Sequence, residues 1–592
     1  MLSSDPGSRL WQVYRDPVGE SADTVRLPTL TVGLCLPMPM TNARTGAQIL
    51  VDHLALNGVE RVFCVPGESY LAVLDALHGH AIETIVCRQE GGVSAMADAD
   101  GKLTGRPGIA FVTRGPGITN ASIGLHTAQQ DSTPVILFMG QVGSQDMERE
   151  AFQELDVRKV FGSIAKWAAQ IDRADRLPEM VSHAFHVATS GRPGPVVLAL
   201  PEDMLVDVAH VDDARPARPV TNGPTPAAIA AVVGHLERAE RPLMLVGGPG
   251  WTAAAGQAVL RAAHALSVPV VTSFRCQDYV DNDDPAYGGD AGIGLNPALA
   301  ERVRTADVLL VVGDRLGEMT TSGYSLLVPP NPSQTLIHVH PSGDELGRVY
   351  RPDLGIVSRS DAFVEALAAV PLADSSVRRA WLAATRRDYA AWIAPEANPG
   401  ALQMATVIQL LRERLPSDAI FCNGAGNYTG WLHRYFRYRG FRTMLAPTSG
   451  AMGYGVPSAV AAKLRHPDRA VVSISGDGCF LMNGQEMATA TQYGAKILFL
   501  VVNNGMYGTI RMHQERAYPG RVSATDLVNP DFVKLGEAYG AYAERVERTA
   551  DFAPALTRAL AAPGPALIEL ILDPDAITTK TSLSEIRATA TC

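Results

Sequence analysis

The sequence predicts an α/β protein of three consecutive doubly wound parallel-sheet domains. Short β-branched apolar runs alternate with longer helix-periodic stretches along most of the chain, the mark of strands buried on both faces beneath crossover helices. The alternation restarts twice, after a Pro-rich linker and after a helical connector, and 592 residues are too many for one hydrophobic core. Composition agrees: 46% of residues are hydrophobic, and a formal net charge of −10 is spread over interspersed acids and bases. Lacking a basic stripe, the chain is not expected to bind nucleic acid. No apolar run approaches the length of a membrane span, so no membrane partner is expected. Cys35, Cys64, Cys87, Cys276, Cys422, Cys479 and Cys592 show no C-x-x-C spacing. They read as small buried hydrophobes in a reducing compartment, the cytoplasm.

Residues 1–40 carry scattered Pro, Gly and charge without a sustained period, and lack the basic start and apolar core of a signal peptide. They read as a disordered extension, or as sequence ahead of a true start at Met38 or Met40. The first block, 41–205, contains the strand runs "VERVFCV", "IETIVC", "GIAFVT", "PVILFMG" and "PGPVVLAL". The first run ends in "PGESYLAVLDAL", where Glu68 opens a helix-periodic stretch. An acid there suits the helix macrodipole, but with Glu90 and the glycine-rich "TRGPG" turn at neighbouring strand ends Glu68 is expected at the ligand edge, in a substrate or proton-transfer role. The second run leads into "CRQEGGVSAMADADG", placing Glu90 between a strand end and a small-residue helix. The second block, 206–370, starts with a Pro-rich linker at 211–226 and holds "RPLMLVGG", "VPVVTSF", "DVLLVVGDRL" and "QTLIHVHP". Its "GGPGW" turn resembles a nucleotide-binding turn but lacks the full fingerprint. A helical connector, 371–400, leads to the third block, 401–575, with "AIFCNG", "AVVSISGDG", "KILFLVVNN" and "PALIELIL"; a tail, 576–592, ends the chain.

The strongest chemical signal lies in the third block. One buried strand ends at Gly476-Asp477-Gly478 and the next at Asn503-Asn504. In a parallel sheet both ends point to the same edge, so Asp477 and Asn504 can converge there. Such oxygen ligands suit Mg²⁺, which shares its shell with phosphates. The glycines let backbone approach a phosphate, and the following helix offers its N-terminus to anionic charge.

This stretch resembles the thiamine-diphosphate motif, GDG followed about two dozen residues later by NN. By that resemblance the Asp477 and Asn504 side chains and the Met506 carbonyl hold Mg²⁺. Gly476, Gly478, Cys479 and Tyr507 then flank the cofactor. "GAGNYTGW" looks like the loop over the diphosphate, with Asn427 and Tyr428 in the contacting positions, where the family more often has Gln and His. In "TSGAMGYG", Met452, two residues after Gly450, matches the apolar wedge that bends the cofactor. Glu90, in an R-x-E setting, matches the carboxylate that hydrogen-bonds the pyrimidine ring so that the cofactor acts as its own base. In this family that glutamate serves a cofactor whose diphosphate lies on another subunit, implying a homodimer or homotetramer.

From residue 41 onward the chain is most similar to acetolactate (acetohydroxyacid) synthase large subunits, as in "TRGPGITNA", "EAFQELD" and "SGRPGPVVLALPEDM". The resemblance implies three domains of the thiamine-diphosphate enzyme type: pyrimidine-binding, central and diphosphate-binding. It implies decarboxylation of a 2-oxo acid and carboligation to a second carbonyl, with Phe152 and Gln153 near the reacting carbon. It leaves FAD open: Arg192 matches one flavin contact, whereas "GGDAGIGLN" is a loose counterpart only. It also admits a regulatory subunit. Four positions depart from the synthase pattern. Glu68 stands for a small residue, Glu202 for Lys, Met319 loosely for Arg, and His513 for Trp. Two cations are missing and two carboxylates appear, so a substrate pair other than two pyruvates is expected, a neutral aldehyde acceptor among them. The rival readings are a simple 2-oxo-acid decarboxylase or an aldehyde lyase/carboligase of the same family. An acid after Pro-Gly, as at Glu68, is a decarboxylase trait. Val142-Gly143 in place of a His pair, and Ile510 in place of a Glu after NN, are not. Arg114 and Lys166 read as structural or surface charges. A non-catalytic scaffold would be signalled by the loss of Glu90, Asp477 or Asn504, and all three are present.

Overall fold

The computed structural model describes residues 43–370 and 373–590, so the expectation for residues 1–40 falls outside the described chain. Three six-stranded sheets follow one another. The first consists of β1 (Arg61–Cys64), β2 (Glu83–Val86), β3 (Gly108–Thr113), β4 (Val135–Gln141), β5 (Trp167–Gln170) and β6 (Pro195–Pro201). The second consists of β7 (Pro242–Val246), β8 (Val270–Thr272), β9 (Tyr287–Asp290), β10 (Val308–Val312), β11 (Thr335–His340) and β12 (Leu354–Val357). The third consists of β13 (Ile420–Asn423), β14 (Met444–Leu445), β15 (Val471–Gly476), β16 (Leu498–Asn503), β17 (Tyr542–Val546) and β18 (Ala566–Ile571). Every pairing within these sheets is parallel.

Strand order separates them. The first sheet runs β2-β1-β3-β4-β6-β5 and the third β14-β13-β15-β16-β18-β17, which is the same topology. The second runs β9-β8-β7-β10-β11-β12, the dinucleotide-fold order. In each sheet the chain reverses its direction of growth between two neighbouring strands: β1 and β3, β7 and β10, β13 and β15. Beyond the carboxyl ends of such a pair lies the crevice where open α/β sheets bind ligands.

The central strands are those with unbroken apolar runs; β4, β6 and β15 are buried along their whole length. The strands the sequence pattern left unmarked (β5, β9, β12, β14 and β17) all lie at sheet edges. There one face is covered less, or the strand is short, so no sustained apolar run is required. The first and third domains share one hydrophobic core, in which helix Glu90–Thr104 packs on helix Gly455–Arg465. Both helices are rich in Ala and Gly, which lets their axes approach closely. The connector carries helix Ser376–Trp392, and the segment read as a tail carries helix Leu583–Thr589, opened by a Ser582 capping box. Leu583 and Ile586 bury against Met512 and Ile577.

Candidate active site

At the switch point of the third sheet a cavity of about 240 Å³ lies between the loops after β13, β15 and β16. Asn427, Tyr428, Gly450, Met452, Gly476, Asp477, Gly478, Cys479, Asn504, Met506, Tyr507 and Ile510 all line it. Asp477 is only 3% exposed. Its Oδ1 accepts from Gly478 N (2.8 Å), and its Oδ2 accepts from Gly505 N (2.9 Å) and Asn529 Nδ2 (2.8 Å). Burial raises the Asp477 carboxyl above its ordinary value, against the pull of those hydrogen bonds. A cation reverses that cost. Among the described residues no group of three His, Cys, Asp or Glu side chains could hold a metal. One carboxylate, one amide and one carbonyl beside a phosphate-sized space is instead a donor set that fits Mg²⁺.

Two glycines are required by contact. A Cβ on Gly476 would lie 2.9 Å from the Tyr428 ring, and one on Gly478 would lie 2.6 Å from the Tyr507 ring. Tyr428 is fixed from behind, its hydroxyl donating to Cys479 Sγ at 3.3 Å. Asn427 is tied to the neighbouring elements, accepting from Thr509 Oγ1 (2.9 Å) and donating to the Ile577 carbonyl (2.9 Å). The Met452 loop is held from outside the domain. Asp131 accepts from Thr448 N at 2.7 Å, and the buried Arg275 of the middle domain donates to the carbonyls of Gly424 and Pro447.

The first sheet places its candidates at its own carboxyl edge. Glu90 begins its helix behind the Gln89 cap, and its Oε2 accepts from Asn120 Nδ2 at 2.9 Å. Glu486, from the third domain and fully buried, accepts at 3.0 Å from both Arg88 N and Gln89 N, and so grips the backbone just ahead of Glu90. Glu68 follows β1, Arg114 follows β3 and Glu202 follows β6. Arg114, expected to be a structural or surface charge, makes structural ion pairs here. Its guanidinium lies 2.8 Å from Glu202 and 3.6 Å from Glu68. Phe152 is 74% exposed, and Gln153 adopts a left-handed φ of 66° while its carbonyl accepts from Gly115 N at 2.9 Å. Lys166 does play a structural part, donating to the Val187 and Ser190 carbonyls at the end of helix Leu177–Thr189, and burial pulls its pKa down to about 8.

Within one chain these first-edge candidates do not line the third-edge cavity. His513 and Met319 face a larger cleft of about 1220 Å³, which reaches the turn after β7 (Gly248 to Thr252) and Arg315 after β10. Arg192 is committed elsewhere: it donates to Ser132 Oγ, Gln129 O and Glu345 Oε1. Sequence reasoning missed Asn529, Glu486, Asn120 and the partners of Arg114, all joined to residues distant in sequence.

Comparison with known proteins gives the same outline. Three family models match in order: the N-terminal TPP binding domain of thiamine pyrophosphate enzymes at residues 44–160, their central domain at 229–367, and their C-terminal TPP binding domain at 424–570. The chain is 32% identical over 562 residues to the acetolactate synthase large subunit of Parasynechococcus marenigrum, covering 92% of this chain and 89% of the relative. It is 30% identical to the acetolactate synthase of Bacillus subtilis, covering 89% and 93%. It is likewise 30% identical to the acetolactate synthase isozyme 2 large subunit of Escherichia coli, covering 89% and 95%. With three models matched in sequence order and these relatives covered nearly end to end, the chain belongs to the thiamine pyrophosphate enzyme family, in its acetolactate-synthase-like group.

Proposed function

We propose that this protein decarboxylates a 2-oxo acid with thiamine diphosphate and Mg²⁺ and joins the remaining acyl unit to a second carbonyl, as an acetolactate-synthase-like carboligase. The observation that carries this reading is the convergence of Asp477, Asn504 and Met506 on one cavity at the switch point of the third sheet. Thiamine diphosphate supplies, when bound, the nucleophilic carbon and the electron sink for loss of CO₂. Asp477, Asn504 and the Met506 carbonyl hold Mg²⁺, and Gly476 and Gly478 admit the diphosphate. Met452, lining the same cavity, would brace the cofactor in its bent form. Glu90, oriented by Asn120, offers the carboxylate for its pyrimidine ring. Phe152 and Gln153 would lie near the reacting carbon and help exclude water there.

Glu90 and the Asp477 cavity face different spaces in one chain, which supports a dimer or tetramer in which each site takes Glu90 from one subunit and Asp477 from another. The dinucleotide-type order of the second sheet, with its cleft at the β7/β10 switch point, supports FAD there. Arg192 is not counted among its contacts. Relatives named as large subunits support a separate regulatory partner. Cys64, Cys87, Cys276, Cys422 and Cys479 are free and buried, which supports a reducing, cytoplasmic setting. Among the described residues no helix is long and apolar enough to cross a membrane.

The test is product analysis with purified protein, thiamine diphosphate, Mg²⁺, and pyruvate or 2-oxobutyrate, with and without an aldehyde panel. A ligated hydroxy-ketone or acetohydroxy acid is expected. Free aldehyde as the only product establishes the decarboxylase reading that Glu68 favours. A yellow preparation that releases flavin on denaturation is expected from the middle-domain cleft.

A further inference from the structure

Arg114 draws together segments that are far apart in sequence. Its Nη2 donates to Glu202 Oε2 at 2.8 Å, and its Nη1 lies 3.6 Å from Glu68 Oε1 and reaches the Phe152 carbonyl at 3.5 Å. The next residue, Gly115, donates its N–H to the Gln153 carbonyl. Arg114 is only 9% exposed, and its Nε is buried without a hydrogen-bond partner. The Glu68 and Glu202 side chains are 61% and 43% exposed. The guanidinium of this group is thus drawn inward, while both carboxylates are exposed. The formal charges of the three groups sum to −1. A guanidinium already engaged by two carboxylates has little to offer a third, and an anion approaching this edge meets the carboxylates first.

We propose that Arg114, Glu68 and Glu202 form a charge clamp that selects the second substrate. It admits a carbonyl compound without a carboxylate, such as an aldehyde, and disfavours a second 2-oxo acid. Arg114 is the positioning residue of this clamp, setting both carboxylates and the Phe152–Gln153 loop. The proposal rests on the carboligase reading above.

The experiment is a competition. The full chain with thiamine diphosphate and Mg²⁺ receives pyruvate as donor and equimolar acetaldehyde and 2-oxobutyrate as rival acceptors. CO₂ release and the ratio of neutral to acidic ligation product are measured together. Substitution moves the summed charge of these three groups in unit steps, over a background that Asp146 and Asp203 beside Glu202 leave unchanged: Arg114→Met to −2, wild type −1, Glu202→Gln 0, and Glu68→Gln with Glu202→Gln +1. The ratio is expected to fall in that order, by about tenfold per step, as for a unit charge roughly 8–10 Å away at an effective dielectric of about 25. Arg114→Lys, which keeps the charge, is expected to restore the wild-type ratio even where turnover falls. Ratios that stay constant while turnover drops, or that follow no charge order, overturn the clamp and leave the carboligase reading standing. CO₂ release from wild type with no ligated product overturns the carboligase reading and the clamp with it.

Discussion

The first and third domains are the same strand topology put to different uses. Each sheet turns its growth around between its first and third strands, and each places polar residues just beyond that pair. In the third domain the loops are glycine-rich and place one buried carboxylate, Asp477, against the wall of a cavity. In the first they carry Glu68, Glu90, Arg114 and Glu202 on a more open edge. A topology therefore supplies the place for a ligand, and the residues after the strand ends decide whether that place grips or reacts. On this reading the third edge governs cofactor affinity and the first governs chemistry.

The sharpest way to separate them is Glu90→Gln. Hydrogen exchange at C2 of bound thiamine diphosphate, followed by NMR, is expected to slow by about a thousandfold, within the usual range for lost acid–base assistance. Cofactor affinity is expected to change little. Loss of affinity in place of exchange breaks the division of labour. Asp477→Ala is expected to do the converse, weakening thiamine diphosphate binding at fixed Mg²⁺ by more than about a hundredfold, since even groups behind a metal ligand are worth 10- to 100-fold. Fluorescence titration reads it. Asn529→Ala removes a hydrogen bond to Asp477 Oδ2. It is expected to cost about tenfold in Mg²⁺ affinity and to leave the competition between acceptors unchanged.

The smallest expected effect concerns how the third edge is braced. Asp278 of the middle domain is fully buried, and its Oδ2 accepts from Thr443 N (2.9 Å) and Met444 N (3.1 Å) at β14. Burial pushes its pKa up to about 6 from an ordinary 3.8. Because the folded value is the higher one, its contribution to stability is full below pH 4 and is lost as the pH climbs through about 6. The change is worth roughly 3 kcal/mol at most. Thermal unfolding of wild type and Asp278→Asn from pH 4.5 to 7.5 is expected to show wild type losing ground to the variant as pH rises. Parallel curves remove this account of the brace.

How much of this was legible in the sequence depends on where each cause lies. The central strands declare themselves because burial on both faces demands unbroken apolar runs. β5, β12 and β17 do not, because an edge strand is only partly covered. The cradle around Asp477 was legible because its glycines and strand ends are neighbours in the chain. The partners of Arg114 were not, since the closest, Glu202, lies 88 residues away. Asn529 meets Asp477 across 52 residues, and Glu486 meets Arg88 across 398. Such long-range hydrogen bonds appear only once the chain is folded.

The grip of Glu486 on the backbone before Glu90 bears on recombination. A chimaera that takes its first domain from one relative and its third from another must bring a carboxylate to 486 and a glycine to 92, where a Cβ would lie 2.4 Å from Glu486 Oε1. An Ala at 92 pushes the carboxylate off two backbone N–H groups, and each buried donor left unmet costs about 1–3 kcal/mol. Crossovers that keep this pair are the ones expected to yield folded hybrids, and those that split it are expected to be purged before any substrate is tried.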